Sequence, residues 1–219
     1  MGARSFIFDL NGTMINDMEY HVRAWYQVLN EELNAGLSWD EVKSHMYGKN
    51  EELLVRVFGK DRFTREQTDR ISSVKEKKYQ EAFRPHLELI AGLPAFLQRA
   101  KKAGIPMAIG SAAIPLNIDF VLDNLDIRHY FSVIVSAHDV IVSKPDPETY
   151  LRAAELLDAQ PADCLVFEDA PKGVEAALRA GMKCIVLTTM HEREEFGNYP
   201  NVAGIVRDYT DPLLNDFFL

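Results

Sequence analysis

The stretch Ser5-Phe6-Ile7-Phe8-Asp9-Leu10-Asn11-Gly12-Thr13-Met14 decides how the rest of the chain is read. A short apolar run ends on an aspartate, followed two residues later by an asparagine and then a Gly-Thr pair. Continuous apolar runs suit strands buried on both faces, as in a parallel sheet. An aspartate just past such a strand is most often a turn residue or a helix cap. Asp9 becomes a catalytic candidate only if other chemistry-bearing residues reach the same edge of the same sheet.

Working outward, similar runs recur at 105–110 (IPMAIG), 131–136 (FSVIVS), 164–168 (CLVFE), 184–187 (CIVL) and 204–206 (GIV). Helical patterns lie between them. Leu93, Phe96, Leu97 and Ala100 share one side of a helix over 91–103 that Gly104 stops. Asp146-Pro147 predicts a helix start, with Tyr150, Leu151, Ala154 and Leu157 along it. Another helix begins at Pro171 and ends at Gly181. This alternation predicts an α/β core with a doubly wound parallel sheet.

Residues 16–85 interrupt the alternation with helices only. Met18, Val22, Trp25, Leu29 and Leu33 follow the 3.6-residue period. Thr64 and Gln67 form a capping-box pair that opens a helix to about Phe83. The expected organisation is therefore a core of 1–15 and 86–219 with an inserted α-helical cap of 16–85.

The 219 residues suit one such core with an insert, and the net charge of −9 argues against nucleic-acid or anionic-membrane partners. Cys164 and Cys184 each sit in an apolar run, which predicts buried free thiols rather than a disulfide or zinc site. No apolar run reaches the length of a membrane span. The amino terminus moves straight into an apolar run, so no leader is expected, and Phe6 stands where an N-acylation signal needs Ser or Thr. A monomer in the reducing cytoplasm is expected.

Ligands of open α/β sheets bind beyond the carboxyl ends of the strands. Asp9, Ser111, Lys144, Glu168 and Asp169 all fall at or near such ends. Carboxylates gathered there repel one another unless a hard cation joins them, and Mg²⁺ suits Asp9, Asp169 and a backbone carbonyl. Lys144 and the Ser111 hydroxyl could then hold a phosphoryl group that Asp9 attacks. Neither a GxGxxG after the first strand nor a GxxxxGK[ST] occurs, which disfavours dinucleotide and P-loop readings.

FIFDLNGTM, GSAA, SKPDPETYL and VFEDAPKGVEAALRAGM together resemble, in order and spacing, the four motifs of the haloacid-dehalogenase-like phosphohydrolases. The insert after the first strand resembles the helical-cap branch, and DMEYHVRAW at 17–25 is similar to the cap entry of β-phosphoglucomutase and related phosphatases. The resemblance implies that Asp9 is the nucleophile. It implies that Ser111, with Ala112 beside it, and Lys144 bind phosphate. Mg²⁺ would be served by Asp9, the carbonyl of Asn11, Glu168 and Asp169. His21, Lys49 and Lys75 are the cap's candidates for meeting substrate, against the plainer reading of each as a surface residue.

The family's first motif carries a second aspartate at the position of Asn11, where it exchanges protons with the leaving group and the attacking water. An amide cannot do so. Two origins fit: an engineered substitution in an otherwise intact enzyme, favoured because every other motif residue is present, or natural loss of the step. The acids of GKNEELL and the apolar AAIPL after Ser111 depart from the mutase and favour a phosphatase of a small phosphorylated metabolite, such as a sugar phosphate. A phosphohexomutase and a non-catalytic phosphate-binding protein are the alternatives.

Overall fold

The computed structural model describes residues 5–218. Residues 1–4 and 219 lie outside the described residues, and with them part of the amino-terminal reading above. The chain divides into two compact units: one runs to Asn16 and resumes at Glu88, and the other is Asp17–Leu87. No helix among the described residues is long and apolar enough to cross a membrane.

The first unit is built on six parallel strands: β1 (Ser5–Phe8), β2 (Met107–Gly110), β3 (Val133–Val135), β4 (Cys164–Glu168), β5 (Lys183–Leu187) and β6 (Val202–Val206). Their order across the sheet is β3-β2-β1-β4-β5-β6. Every residue of β1, β2 and β4 is buried, which is why these segments read as unbroken apolar runs rather than alternating ones. Successive side chains take opposite faces. Phe6, Phe8 and Phe167 meet Phe96 on one face, with the Phe8 and Phe167 rings stacked 4.6 Å apart. Ile7, Val166 and Val186 pack with Tyr150, Val174 and Ala177 on the other.

In the second unit, α1 (Met18–Gln27) is followed by α2 (Trp39–Ser44), α3 (Asn50–Phe58) and α4 (Arg65–Phe83). α1 runs on into a wider π-type turn at Val28–Glu32, so Val28 joins Val22, Trp25 and Leu29 in burial. The Thr64–Gln67 capping box opens α4: Gln67 N donates to Thr64 Oγ1, and Thr64 N donates to Gln67 Oε1.

The core unit's helices are α5 (Leu93–Lys102), α6 (Pro115–Asn124), α7 (Glu148–Leu156) and α8 (Pro171–Arg179). α6 escaped the sequence reading. Its Asn117, Ile118, Phe120, Val121 and Leu122 are buried while Leu116, Asp119 and Asp123 are exposed, so a buried asparagine and an exposed leucine blur the apolar stripe; Pro115 in its first turn was the available signal. In α7 the expected inward face needs correction. Tyr150, Ala153 and Ala154 are buried, whereas Leu151 is exposed. Pro147 occupies the cap position, and Asp146 instead accepts from Glu148 N at 3.0 Å. Cys164 and Cys184 are buried free thiols, as the sequence predicts.

Candidate active site

The strand order reverses direction between β1 and β4, the point at which ligands of such sheets bind. Asp9 follows Phe8, and its amide donates to Phe167 O at 3.0 Å. Parallel pairing of Phe8 with Phe167 and Ile109 brings Asp9, Glu168 and Gly110 to one level. Lys144 Nζ reaches into this row, 2.7 Å from Asp9 Oδ1 and 2.8 Å from Glu168 Oε1. Thr13 Oγ1 donates to Asp169 Oδ1 at 3.3 Å. One carboxylate oxygen each from Asp9, Glu168 and Asp169 lie within 4.8 Å of one another, and all three residues are buried.

Burial dominates the electrostatics. It raises the Asp9 carboxyl to about 7, opposed by Lys144 and reinforced by Glu168. Burial works against the Lys144 ammonium too, but Asp9 and Glu168 overcome it and hold the lysine firmly charged. Burial would also raise Glu168; Lys144 outweighs it, and the carboxylate stays below its usual range.

Glu168 is satisfied from all sides. Oε1 accepts from Lys144 and from the Tyr150 hydroxyl at 2.7 Å. Oε2 accepts the amides of Asp169 and Ala170 at 2.9 and 3.0 Å, just ahead of α8, where the helix dipole favours an anion. The room for it comes from Gly173: a Cβ there would lie 1.7 Å from Glu168 Oε1. Gly12 performs the same service for Asp169, with φ +74° and a would-be Cβ 2.1 Å from Oδ2. Gly173→Ala is therefore expected to expel Glu168 and strand Lys144, costing ~3 kcal/mol or more in urea unfolding. A loss below ~1 kcal/mol, the ordinary scale of a point substitution, would contradict that account.

Ser111 is buried at the end of β2; its amide donates to Val135 O, and its Oγ accepts from Ala113 N at 3.1 Å. A hydroxyl that accepts in this way keeps its proton for another acceptor. Ala112 lies in the same turn and is half-buried. Asn11 bridges to Ile15 in the turn after Asp9. Several positioning groups were missed by sequence reasoning. Thr189 Oγ1 donates to Gly12 O at 2.6 Å, Tyr209 Oη to Thr13 O at 3.1 Å, and Tyr150 to Glu168. The available signals were Gly12 and Thr13 inside the opening motif and the place of Tyr150 inside SKPDPETYL.

Two of the three residues nominated in the helical unit are corrected in their burial. His21 and Lys75 are buried, not surface residues. Lys75 Nζ lies 2.6 Å from His21 Nδ1 and 3.0 Å from both Glu76 oxygens. His21 Nε2 lies 3.2 Å from Asp17, which also accepts the Tyr79 hydroxyl at 2.5 Å. Two ordinarily basic nitrogens at 2.6 Å require one of them to accept the other's proton. Burial lowers the Lys75 pKa, against Glu76 and Asp17. Lys49 is half-buried and stands ahead of α3; its amide donates to Glu52 at 3.0 Å. The next residue, Asn50, donates to Glu76 at 2.7 Å.

The core cluster fits a divalent cation. Three buried carboxylates face a single ammonium, and the donors are all oxygen, the preference of Mg²⁺. With Glu168 already taking four donors, Asp9 and Asp169 are the better-suited ligands.

A parallel α/β core with an acidic cluster and a lysine at its switch point defines a class, and comparison with known proteins identifies it. The chain belongs to the haloacid dehalogenase-like hydrolases, whose family model matches residues 6–187. It is 32% identical over 192 residues or fewer to several curated relatives. Among them is fructose-1-phosphate phosphatase YqaB of Escherichia coli, aligned over 82% of this chain and 93% of that one. Hexitol phosphatase A of the same organism is 33% identical, over 85% and 84%. A β-phosphoglucomutase from Clostridium difficile shares the fold with a TM-score of 0.84 at 23% identity, covering 99% of this chain and 97% of that one.

Proposed function

We propose that the chain is an Mg²⁺-dependent phosphatase of a small phosphorylated metabolite, a sugar or sugar-alcohol phosphate, acting through an aspartyl phosphate on Asp9. The observation that carries this reading is the convergence of Asp9, Lys144, Glu168 and Asp169 at one strand-end crevice, with Lys144 within 2.8 Å of both Asp9 and Glu168. The activities for which the two Escherichia coli relatives are named support the substrate class.

An Asp9 oxygen attacks phosphorus, the bond to the ester oxygen breaks, and the released alkoxide takes a proton. Lys144 and the Ser111 hydroxyl hold the non-reacting phosphoryl oxygens, with the Ala112 amide beside them. Water then attacks the phosphorus of the acyl phosphate, releasing inorganic phosphate and restoring Asp9. A cation held by Asp9, Asp169 and the Asn11 carbonyl would neutralise charge on the equatorial oxygens. Glu168 serves that site by fixing Lys144. Asn11 cannot move a proton in either half, so both depend on water where the side chain offers none. Within the helical unit, His21, Lys49 and Lys75 are the residues proposed for substrate contact.

Phosphate release from a panel of sugar, sugar-alcohol and aryl monophosphates, with and without Mg²⁺, tests the reading. Mg²⁺-dependent release is expected. Migration of phosphate between positions of a hexose phosphate, without release, would select a phosphohexomutase instead. Titration calorimetry gives a second check: Asp169→Ala is expected to weaken Mg²⁺ binding at least tenfold, the scale on which metal sites respond to lost partners. Equal affinity would remove Asp169 from the metal site.

A further inference from the structure

We propose that Tyr150 is a positioning residue for phosphate capture, acting by dividing the Lys144 ammonium between Glu168 and the phosphate position. The inference rests on the reading of Lys144 as a phosphate ligand. Tyr150 is fully buried in α7 and touches the pair in two ways. Its hydroxyl donates to Glu168 Oε1 at 2.7 Å, the same oxygen that Lys144 binds at 2.8 Å. Its ring carries the Lys144 ammonium 4.6 Å from the centroid.

Sharing that oxygen has a consequence. A carboxylate oxygen that already accepts a hydroxyl proton draws less strongly on a second donor. Remove the hydroxyl and Oε1 has Lys144 alone, so the ammonium shifts toward Glu168 and away from the Asp9 side, where phosphate is to be held. The ring limits this travel by keeping the charge over its negative face. The placement of Tyr150 depends on Gly110 at the end of β2, where a Cβ would stand 3.3 Å from the Tyr150 ring. A phenylalanine would satisfy the packing; only the hydroxyl has the second task.

The test is calorimetric titration of inorganic phosphate, in Mg²⁺, into the unchanged chain, Tyr150→Phe and Tyr150→Leu, with unfolding midpoints measured alongside. Tyr150→Phe is expected to weaken phosphate binding roughly tenfold, the scale of one hydrogen bond to a charged group. Tyr150→Leu, which also lacks the ring, is expected to weaken it further. Loss of stability in Tyr150→Phe with phosphate affinity within twofold of the unchanged chain would overturn the inference and leave Tyr150 a packing residue. Phosphate binding absent from the unchanged chain would overturn the Lys144 reading itself, and this inference with it. Tyr150→Phe keeps the ring and its packing, so its comparison with the unchanged chain decides the role of the hydroxyl.

Discussion

Asn11→Asp is expected to raise steady-state phosphate release by about 10²-fold or more, the usual contribution of general acid–base catalysis. The argument is chemical. Asn11 lies two residues beyond Asp9 in the turn that also places Gly12 against Asp169. A carboxyl group there could protonate the leaving oxygen and later take a proton from water, and an amide does neither. The gain should be largest for sugar phosphates, whose leaving groups are poor. It should be smaller for aryl or acyl phosphates, which leave with little help. Mg²⁺ affinity should change little, because residue 11 is expected to offer its backbone carbonyl. A uniform gain across leaving groups would point to repaired binding rather than a restored proton donor. No gain on any ester would favour the phosphate-binding protein.

Asp9→Asn is expected to abolish phosphoryl transfer altogether. Asp9 is the proposed source of the attacking oxygen, and neither neighbouring acid can replace it. Glu168 is saturated by Lys144, Tyr150 and two amides. Asp169 is held by Thr13 and proposed for the metal. The fold should persist, since an amide oxygen can still accept from Lys144. Rapid-quench assay with an aryl phosphate checks this. Phosphorylated protein persisting in Asp9→Asn would remove Asp9 as nucleophile.

Much of this was legible in the sequence because the core strands are buried on both faces. SFIF and CLVFE stand out as buried runs; Asp9 follows the first, and Glu168 closes the second with Asp169 next. α5, with one buried apolar stripe, and α4, opened by its capping box, were equally readable. α6 was not, because buried Asn117 and exposed Leu116 blur its apolar stripe. The neighbours that position the site were hidden for a different reason. Tyr150, Thr189 and Tyr209 donate to partners 18, 177 and 196 positions away in sequence, and no local pattern encodes a partner at that range. His21 and Lys75 show the same limit. A histidine and a lysine on helices read as solvent-facing until Asp17, Glu76 and Tyr79 are seen to enclose them.

The most direct test of the central claim is peptide mass spectrometry of the unchanged chain after incubation with Mg²⁺ and acetyl phosphate. Acetyl phosphate needs little leaving-group protonation, so Asp9 can be phosphorylated despite Asn11. Hydrolysis of the product lacks its base, so the phosphoenzyme should accumulate. The account predicts one added phosphoryl group, on Asp9, that is depleted in Asn11→Asp. An unmodified Asp9, or a phosphoryl group on another residue, would contradict it.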